Sequence, residues 1–455
     1  MLNKAIIAAA AAALICCAGA VCTSAHAQEG ERLPWGALKA GNKDGSIPAY
    51  TGGLPTSTNP PGFKKDSGFW VDPFASDKPL YTVTGKNADQ YADKLSDGTK
   101  EVLKRFPGFK LDVYPTRRSA AFPDWVVENM KKNAAGRCKL IENGEAVEGC
   151  FGGIPFPVPK NGNELMWNLM LNYKGKSAWY SAEGWYSDAT GNQVLVNAIS
   201  NRGDSPYYDK DLTPEAFYKA GGPYFNNSNI YSAPARIAGE GNLLRKWANP
   251  IANPDKTWNY SPGQRRVRLS PDAAYDFPIA SSGGVANYDE IFMFSGRLDR
   301  YDWKLLGLRE MLVPYNTYRF YNSKPTEVLG KQHINPDVLR WELHRLWVVE
   351  GTLKSGARHV VAKKRFYLDE DSFSAGMYDG FDNAGKISRG YWQFMMQLYD
   401  KQIPFGTSSW QIDFATNVNY YPSIYGGSKG ILIETDKVEL DRFYSAEGLA
   451  RRTQR

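Results

Sequence analysis

Apolar residues recur at every second position in several segments after about residue 176. The clearest segment is Arg340–Leu353, whose alternate positions hold Trp341, Leu343, Trp347, Val349 and Leu353. His359–Asp369 alternates in the same way, and Lys354–Gly356 between the two has the composition of a tight hairpin turn. Alternation of this kind predicts antiparallel strands with one buried face. Further strands are predicted at 391–399 and 410–418.

The earlier part of the chain has helical spacing instead. Ala88–Phe106 keeps a helical period, Asn87 and Gln90 form a capping box at its start, and Pro107–Gly108 ends it. Shorter helices are predicted at 123–134, at 163–173 and after Thr213. Helices followed by an antiparallel meander predict an α+β fold, with helices covering one face of a curved sheet.

Residues 28–80 are rich in proline and glycine, which disfavour both helices and central strands. Aromatic residues recur through this segment, whereas disordered linkers are usually poor in them. We therefore expect an extended arm that packs on the domain. The predicted organisation is a cleaved signal peptide at 1–27, this arm at 28–80, and a single domain at 81–455.

The first residues have the pattern of a secretory signal peptide. Lys4 precedes an apolar run over 5–22, and Ala25–Ala27 fits the small-x-small cleavage rule. Cleavage is predicted between Ala27 and Gln28. A membrane anchor is the alternative, and the cleavage site disfavours it. The expected product is a soluble periplasmic protein of a Gram-negative bacterium, with peripheral attachment to the outer membrane left open.

Cysteine usage agrees with an oxidising compartment. Three of the five cysteines lie in the predicted signal peptide, which leaves Cys138 and Cys150. Glycines between them favour a short-loop disulfide. A metal site or a redox pair is disfavoured, because no histidine is near and the spacing is not Cys-x-x-Cys.

No motif of a known catalytic or metal centre stands out. The three histidines beyond the signal segment, His333, His344 and His359, belong to no metal-binding pattern, and the last two are expected on solvent-facing strand positions. Asp369–Asp371 resembles the start of a calcium loop, but the glycine and glutamate that such a loop needs are out of register. We predict no enzyme activity, no metal and no cofactor.

Net charge is +7 with both signs interspersed, so a nucleic-acid partner is not expected. The apolar sheet face is the remaining candidate for function, as the wall of a cavity for a hydrophobic molecule. A filled core is the alternative, and the pattern leaves both open. The predicted ligand-binding residues are Trp341, Leu343, Trp347, Val349, Val360 and Phe366.

Several long strings resemble a known proteobacterial family, called domain of unknown function 1329. They begin with AGNKDGSIPAYTGGLP at 40–55 and continue with related strings at 72–100, 112–126, 152–168 and 339–372. The resemblance implies a fold like that of the lipoprotein carriers LolA and LolB, a half-barrel sheet with helices packed on its concave face. Relatives often carry the name outer membrane lipoprotein-sorting protein.

The resemblance also implies a function in envelope transport. Its expected partners are a lipid-like molecule, an exporter of the resistance-nodulation-division class and an outer-membrane-associated companion. The chain is about twice as long as a LolA-type carrier and lacks the lipobox of LolB. The expected function is a periplasmic carrier or adaptor that binds a lipid-like or other hydrophobic molecule.

The alternative is a carbohydrate-binding or carbohydrate-processing envelope protein, because aromatic surfaces also stack on sugars. An enclosed apolar pocket would favour the carrier. A flat aromatic row beside paired carboxylates would favour glycosidase chemistry.

Overall fold

The computed structural model describes residues 30–271, 273–279, 282, 284–434 and 437–453, so the predicted cleavage site lies outside the described residues. The strands are β1 (Tyr81–Thr84), β2 (Lys110–Val113), β3 (Lys139–Ile141), β4 (Ala146–Glu148), β5 (Ser177–Ser187), β6 (Gln193–Asp204), β7 (Pro223–Ala233), β8 (Gly241–Trp247), β9 (Lys256–Ser261), β10 (Arg266–Leu269), β11 (Tyr301–Pro314), β12 (Trp341–Leu353), β13 (Lys363–Asp369), β14 (Gly376–Phe381), β15 (Ile387–Leu398), β16 (Ile403–Asp413), β17 (Val418–Ile424) and β18 (Ile431–Ile433). The helices are α1 (Asp97–Arg105), α2 (Asp124–Lys132), α3 (Gly162–Met170), α4 (Pro214–Lys219), α5 (Tyr318–Asn322), α6 (Pro325–Val328), α7 (Leu440–Phe443) and α8 (Ala446–Thr453).

Most strands of the described chain belong to one large sheet. Its main path runs β11–β12–β13–β14–β15–β16–β17–β5–β6–β7–β8–β9–β10, and every pair along it is antiparallel. The β1–β2 hairpin joins β12 through a short parallel contact, and β18 pairs with β5. Within the described residues, β10 and β11 are not paired with each other, so the sheet is open.

The sheet is strongly curved. Residues of β15 and of β10 line one cavity of about 490 Å³, although eight strand steps separate these strands in the sheet. Adjacent strands lie about 4.8 Å apart, so a flat sheet would hold them roughly 38 Å apart. We call the face that surrounds this cavity the concave face. The α+β class with a large curved antiparallel sheet is therefore confirmed.

Two helices, α1 and α8, pack against the opposite, convex face, which corrects the expectation that the helices pack on the concave face. The side chains of Asp379 and Trp392 contact α1, and each is adjacent in sequence to a tyrosine on the concave face. At the other end of the sheet, a Cβ on Gly241 would meet Leu449 of α8. α3 packs against β11 and β12, and a Cβ on its first residue, Gly162, would meet the backbone of Trp303.

The prediction of a single helix over Ala88–Phe106 is wrong. The chain forms 3-10 turns over Ala88–Lys94 and then starts a separate helix, α1, at Asp97. Ser96 separates the two, because its hydroxyl oxygen accepts a hydrogen bond from the backbone N–H of Thr99. A side-chain acceptor at this position starts a new helix rather than continuing an old one. The predicted helices at 123–134 and 163–173 are present as α2 and α3.

The strand predicted from His359 begins only at Lys363. A turn does follow β12 at Lys354–Ala357, where the N–H of Ala357 bonds the carbonyl of Lys354. His359 is then drawn to Asp289, and the N–H of Val360 donates to Asp276. Contacts with a distant part of the chain thus override the local alternation.

Residues 30–80 contain no helix and no strand longer than an isolated bridge within the described chain. Trp35, Ile47 and Trp70 of this segment are buried in the same hydrophobic core as the sheet. The domain boundary at residue 81 stays a prediction. None of the helices in the described ranges combines the length and the apolar character that crossing a bilayer requires.

The two remaining cysteines form a disulfide, as predicted. Cys138 and Cys150 lie just outside the ends of the small β3–β4 hairpin, and their sulfur atoms are bonded. The bond closes a short loop, which restricts the unfolded chain and stabilises the folded one.

Candidate functional site

The concave face holds a cavity of about 490 Å³. Its lining comes from β5–β10, from β15–β17 and from the segments between β7 and β8 and between β10 and β11. Exposed residues of β10 belong to the lining, so the cavity opens to solvent beside that strand. Its volume is in the range of small-molecule pockets, about 300–1,000 Å³.

The predicted ligand-binding face continues into this cavity. The strand register sets the following residues side by side on adjacent strands: Val349, Phe366, Tyr378, Tyr391, Gln411 and Tyr420. The first two are among the residues named from the sequence, and the last three line the cavity. Along this row of residues, the concave face is therefore covered at the Val349 end and open to the cavity at the Tyr420 end.

The six predicted residues themselves lie away from the cavity lining. Five are buried in the core: Trp341, Leu343, Trp347, Val349 and Phe366. Val360 is 55 % exposed, because it lies in the connection before β13. Ligand binding by these residues stays a prediction.

An irregular segment, Asn287–Gly296, covers the concave face in front of these residues. We call it the covering segment. Its Phe294 ring lies 5.8 Å from the Phe366 ring and 5.5 Å from Trp303, so it fills the space at this end of the face. Its Ile291 and Phe292 line the cavity. The covering segment therefore separates a filled end of the concave face from an open end.

Two buried carboxylates hold the covering segment to the sheet. Asp289 Oδ2 accepts from Lys364 Nζ at 2.5 Å and lies 3.0 Å from His359 Nε2. Glu290 accepts from the Tyr378 hydroxyl at 3.1 Å and from Arg389 at 3.3 Å. Burial alone raises the pKa of Asp289, but Lys364 and His359 outweigh it and hold the pKa below its ordinary value.

One wall of the cavity is a row of asparagines. Asn201, Asn229, Asn242 and Asn259 are register partners on β6, β7, β8 and β9. The Nδ2 atom of Asn201 donates to Asn229 Oδ1 at 2.6 Å, and Asn229 Nδ2 donates to Asn242 Oδ1 at 2.9 Å. We call these four residues the asparagine row.

Two more asparagines, Asn197 and Asn227, lie beside the row and also line the cavity. Asn227 Oδ1 accepts from Asn201 Nδ2 at 3.1 Å. The sequence pattern does not single out any of these residues, because asparagine is typical of turns. The available signal was asparagine recurring within segments that are otherwise rich in strand-forming residues.

Apolar and aromatic side chains form much of the remaining lining. They include Ile199, Ile237, Ile279, Ile291, Phe292, Tyr391 and Tyr420. The cavity is therefore amphipathic, with amide groups on the β6–β9 wall and apolar groups around it.

Cations lie at two places near the cavity. Arg236, Arg266 and Arg268 are exposed lining residues and form no ion pair within the described chain. Lys174 lines a small adjoining cavity with Asn201, and its Nζ lies 4.8 Å from the centre of the Phe292 ring. Burial lowers the pKa of Lys174 to about 8.

A second cluster of titratable groups lies away from the cavity. His344, Asp369 and Asp371 place one potential metal-ligand atom each within 4.8 Å of one another. Arg118 already binds both oxygens of Asp371, at 2.6 and 2.7 Å. Burial and the neighbouring Asp371 raise the pKa of Asp369 to about 6. The arrangement is that of a buried ion-pair network.

This cluster corrects the expectation of solvent-facing histidines. His344 is buried beside Glu342 and stacks on Tyr315 at 3.8 Å, and His359 is buried against Asp289.

Among solved structures, the chain is similar to a putative outer membrane lipoprotein-sorting protein domain from Vibrio parahaemolyticus, with 12% identity and a TM-score of 0.42 over 63% of this chain and 97% of that one. A DUF1329 family protein from Desulfovibrio piger gives the same values. The LolA superfamily protein NE2245 from Nitrosomonas europaea is 9% identical, with a TM-score of 0.36 over 64% of this chain and 99% of that one.

In sequence, the chain is 40% identical over 378 residues to Uncharacterized protein PA3922 from Pseudomonas aeruginosa. The matched region covers 82% of this chain and 81% of that protein. The model of the family described as Protein of unknown function (DUF1329) matches residues 82–450. The chain therefore belongs to the DUF1329 family.

Proposed function

We propose that this protein is a periplasmic carrier or adaptor that holds a lipid-like or other hydrophobic molecule in the cavity of the concave face. The observation that carries the proposal is the cavity itself, about 490 Å³ in volume and lined in part by Ile199, Ile279 and Phe292. Each methylene that a ligand buries against such groups contributes about 0.8 kcal/mol.

The position of the cavity suits reversible loading. It opens beside β10, the last strand of the sheet, where a ligand can enter without separating strands. The covering segment fills the other end of the concave face, so a bound chain would end against Ile291 and Phe292. In this proposal, the protein passes its ligand between components of the cell envelope, including an exporter and an outer-membrane companion.

The test is the ligand that the protein carries when purified from the organism that makes it. Denaturing extraction followed by mass spectrometry should release about one amphiphile per chain. Ile199→Trp fills the cavity with a larger ring and should reduce this occupancy about tenfold.

Leu269→Trp is the matched control. Leu269 is exposed on β10 and lies outside the cavity lining, so this variant should keep its ligand. An extract without ligand from wild type, or equal occupancy in both variants, would contradict the carrier function.

Carbohydrate binding is the second candidate function. The asparagine row favours it, because side-chain amides hydrogen-bond hydroxyl groups in both directions. A free sugar that binds as tightly as any amphiphile would support this candidate instead.

A further inference from the structure

At the buried end of the asparagine row, Asn201 and the neighbouring Asn197 each have a side-chain oxygen without a hydrogen-bond partner among the described residues. We propose that the ligand is an amphiphile whose head group carries several hydroxyl groups, as in a glycosyl or polyol lipid, and that the asparagine row binds this head group. The inference rests on the carrier function and names the chemical class of its ligand.

Asn201 and Asn197 carry the argument. Both line the cavity and are 1 % and 5 % exposed, and the Oδ1 atom of each has no hydrogen-bond partner within the described chain. A buried acceptor without a partner destabilises the folded state, so a ligand that donates to it gains affinity.

Asn201 uses both of its side-chain N–H groups inside the protein, on Asn227 and Asn229. Asn201 and Asn229 each donate toward the next strand, and Asn242 Nδ2 donates to the Tyr231 hydroxyl at 2.7 Å. Asn259 Nδ2 donates to Ser270 at 2.8 Å. The free hydrogen-bonding group of Asn201 is therefore its Oδ1 acceptor, which requires a donor on the ligand.

This requirement separates classes of head group. An ionised carboxylate or a phosphodiester can only accept hydrogen bonds, whereas a hydroxyl donates and accepts. A hydroxyl can donate to Asn201 Oδ1 and also accept from the ammonium of Lys174, which lines the adjoining cavity with Asn201. Several hydroxyls on one head group could serve successive members of the row in the same way.

The opposite wall fits the same ligand. Phe292 and Tyr391 line the cavity together with the asparagines. Aromatic rings pack against the C–H face of a sugar ring or against an alkyl chain. Two arginines of the lining, Arg266 and Arg268, lie on the exposed strand β10, where Arg268 is the register partner of Asn259. The guanidinium groups of β10 therefore lie at the opposite end of the row from Asn201.

The test compares three probes on the full chain after delipidation: dodecyl maltoside below its critical micelle concentration, maltose, and laurate. Isothermal titration calorimetry should show that dodecyl maltoside binds at least about tenfold more tightly than either of the others. Asn201→Leu and Asn242→Leu should each remove most of this preference over laurate.

Asn226→Leu is the matched control. Asn226 is buried on β7, but its side chain bonds Arg245 on the other face, so this variant should keep the preference for dodecyl maltoside. If Asn201→Leu fails to fold, the half-buried Asn242 variant and the wild-type probe series still decide the question.

The remaining outcomes separate the two proposals. Laurate binding as tightly as dodecyl maltoside to wild type would overturn the head-group inference and leave the carrier function standing. Maltose binding as tightly as dodecyl maltoside would overturn the carrier function in favour of carbohydrate binding. Binding of none of the three would contradict both.

Discussion

At the scale of single residues, the chain buries carboxyl groups that carry opposite pKa shifts. Asp379 lies on the convex face and accepts from the backbone N–H groups of Asp97 and Gly98, at 2.8 and 3.0 Å, and from the Tyr367 hydroxyl. Burial first, and then the nearby Asp97, raise the pKa of Asp379 to about 7. The pKa of Asp289 in the covering segment shifts in the other direction, because Lys364 and His359 surround its carboxylate.

The raised pKa of Asp379 predicts a specific pH dependence of stability. The folded state holds this proton up to about pH 7, whereas an unfolded aspartate loses it near pH 3.9. The contribution of Asp379 is therefore fully present below about pH 4 and is lost as the pH rises through 7, by up to about 1.4 kcal/mol per pH unit. Asp379→Asn should flatten the profile of unfolding free energy over this interval.

Urea unfolding at several pH values between 4 and 8 measures this difference. Asp302→Asn, at an exposed position of β11, is the control and should follow the wild-type profile. Parallel profiles for wild type and Asp379→Asn would show that the carboxyl does not titrate in this range.

At the scale of elements, the covering segment decides which part of the concave face is filled. Its attachment depends on the pair of Asp289 and Lys364, both of which are buried. Asp289→Asn leaves the ammonium of Lys364 without its charged partner, which costs about 3–5 kcal/mol. The double variant Asp289→Asn/Lys364→Met should recover a large part of this loss.

Urea unfolding of the two single variants and the double variant completes the thermodynamic cycle. Limited proteolysis should cut the covering segment faster in Asp289→Asn than in wild type, because its anchor is weakened. Strictly additive losses of stability would mean that the two side chains do not interact.

Elements marked by local chemistry could be predicted from the sequence. Pro123 precedes the first residue of α2, and the side chain of Asn161 caps α3 by accepting from the N–H of Glu164. Both helices could therefore be predicted from local sequence. The start of β13 was not, because His359 bonds Asp289, which lies 70 residues earlier in the chain. The asparagine row was also out of reach, since only the register of four strands brings its members together.

At the scale of the whole molecule, buried arginines hold the N-terminal arm against the domain. Arg345 donates to Glu370 and to the backbone carbonyls of Leu38 and Ala40, and Arg118 donates to Asp371 and to the carbonyl of Leu38. These contacts bring the strings at 40–55, 112–126 and 339–372, or residues next to them, to one place. The strings therefore share a structural site even though they are far apart in sequence.

Arg345→Met should release this part of the arm. It leaves the buried Glu370 carboxylate without its closest cation, and the expected loss is about 3–5 kcal/mol of unfolding free energy. Arg309→Met, at an exposed position of β11, should change stability by less than about 0.5 kcal/mol. Chemical denaturation of both variants measures the difference, and equal stabilities would contradict the anchoring role.

The strand order also determines when the cavity can form during folding. β5 pairs with β17, so the middle of the sheet joins residues 177–187 to residues 418–424. Pairings of such high sequence separation form slowly, on the order of milliseconds to seconds even in small β proteins. Until β17 is added, β5 and β16 each present an unpaired edge that can bind another unfinished chain. An incomplete chain therefore lacks the part of the cavity wall that β17 supplies, and its two unpaired edges can promote aggregation.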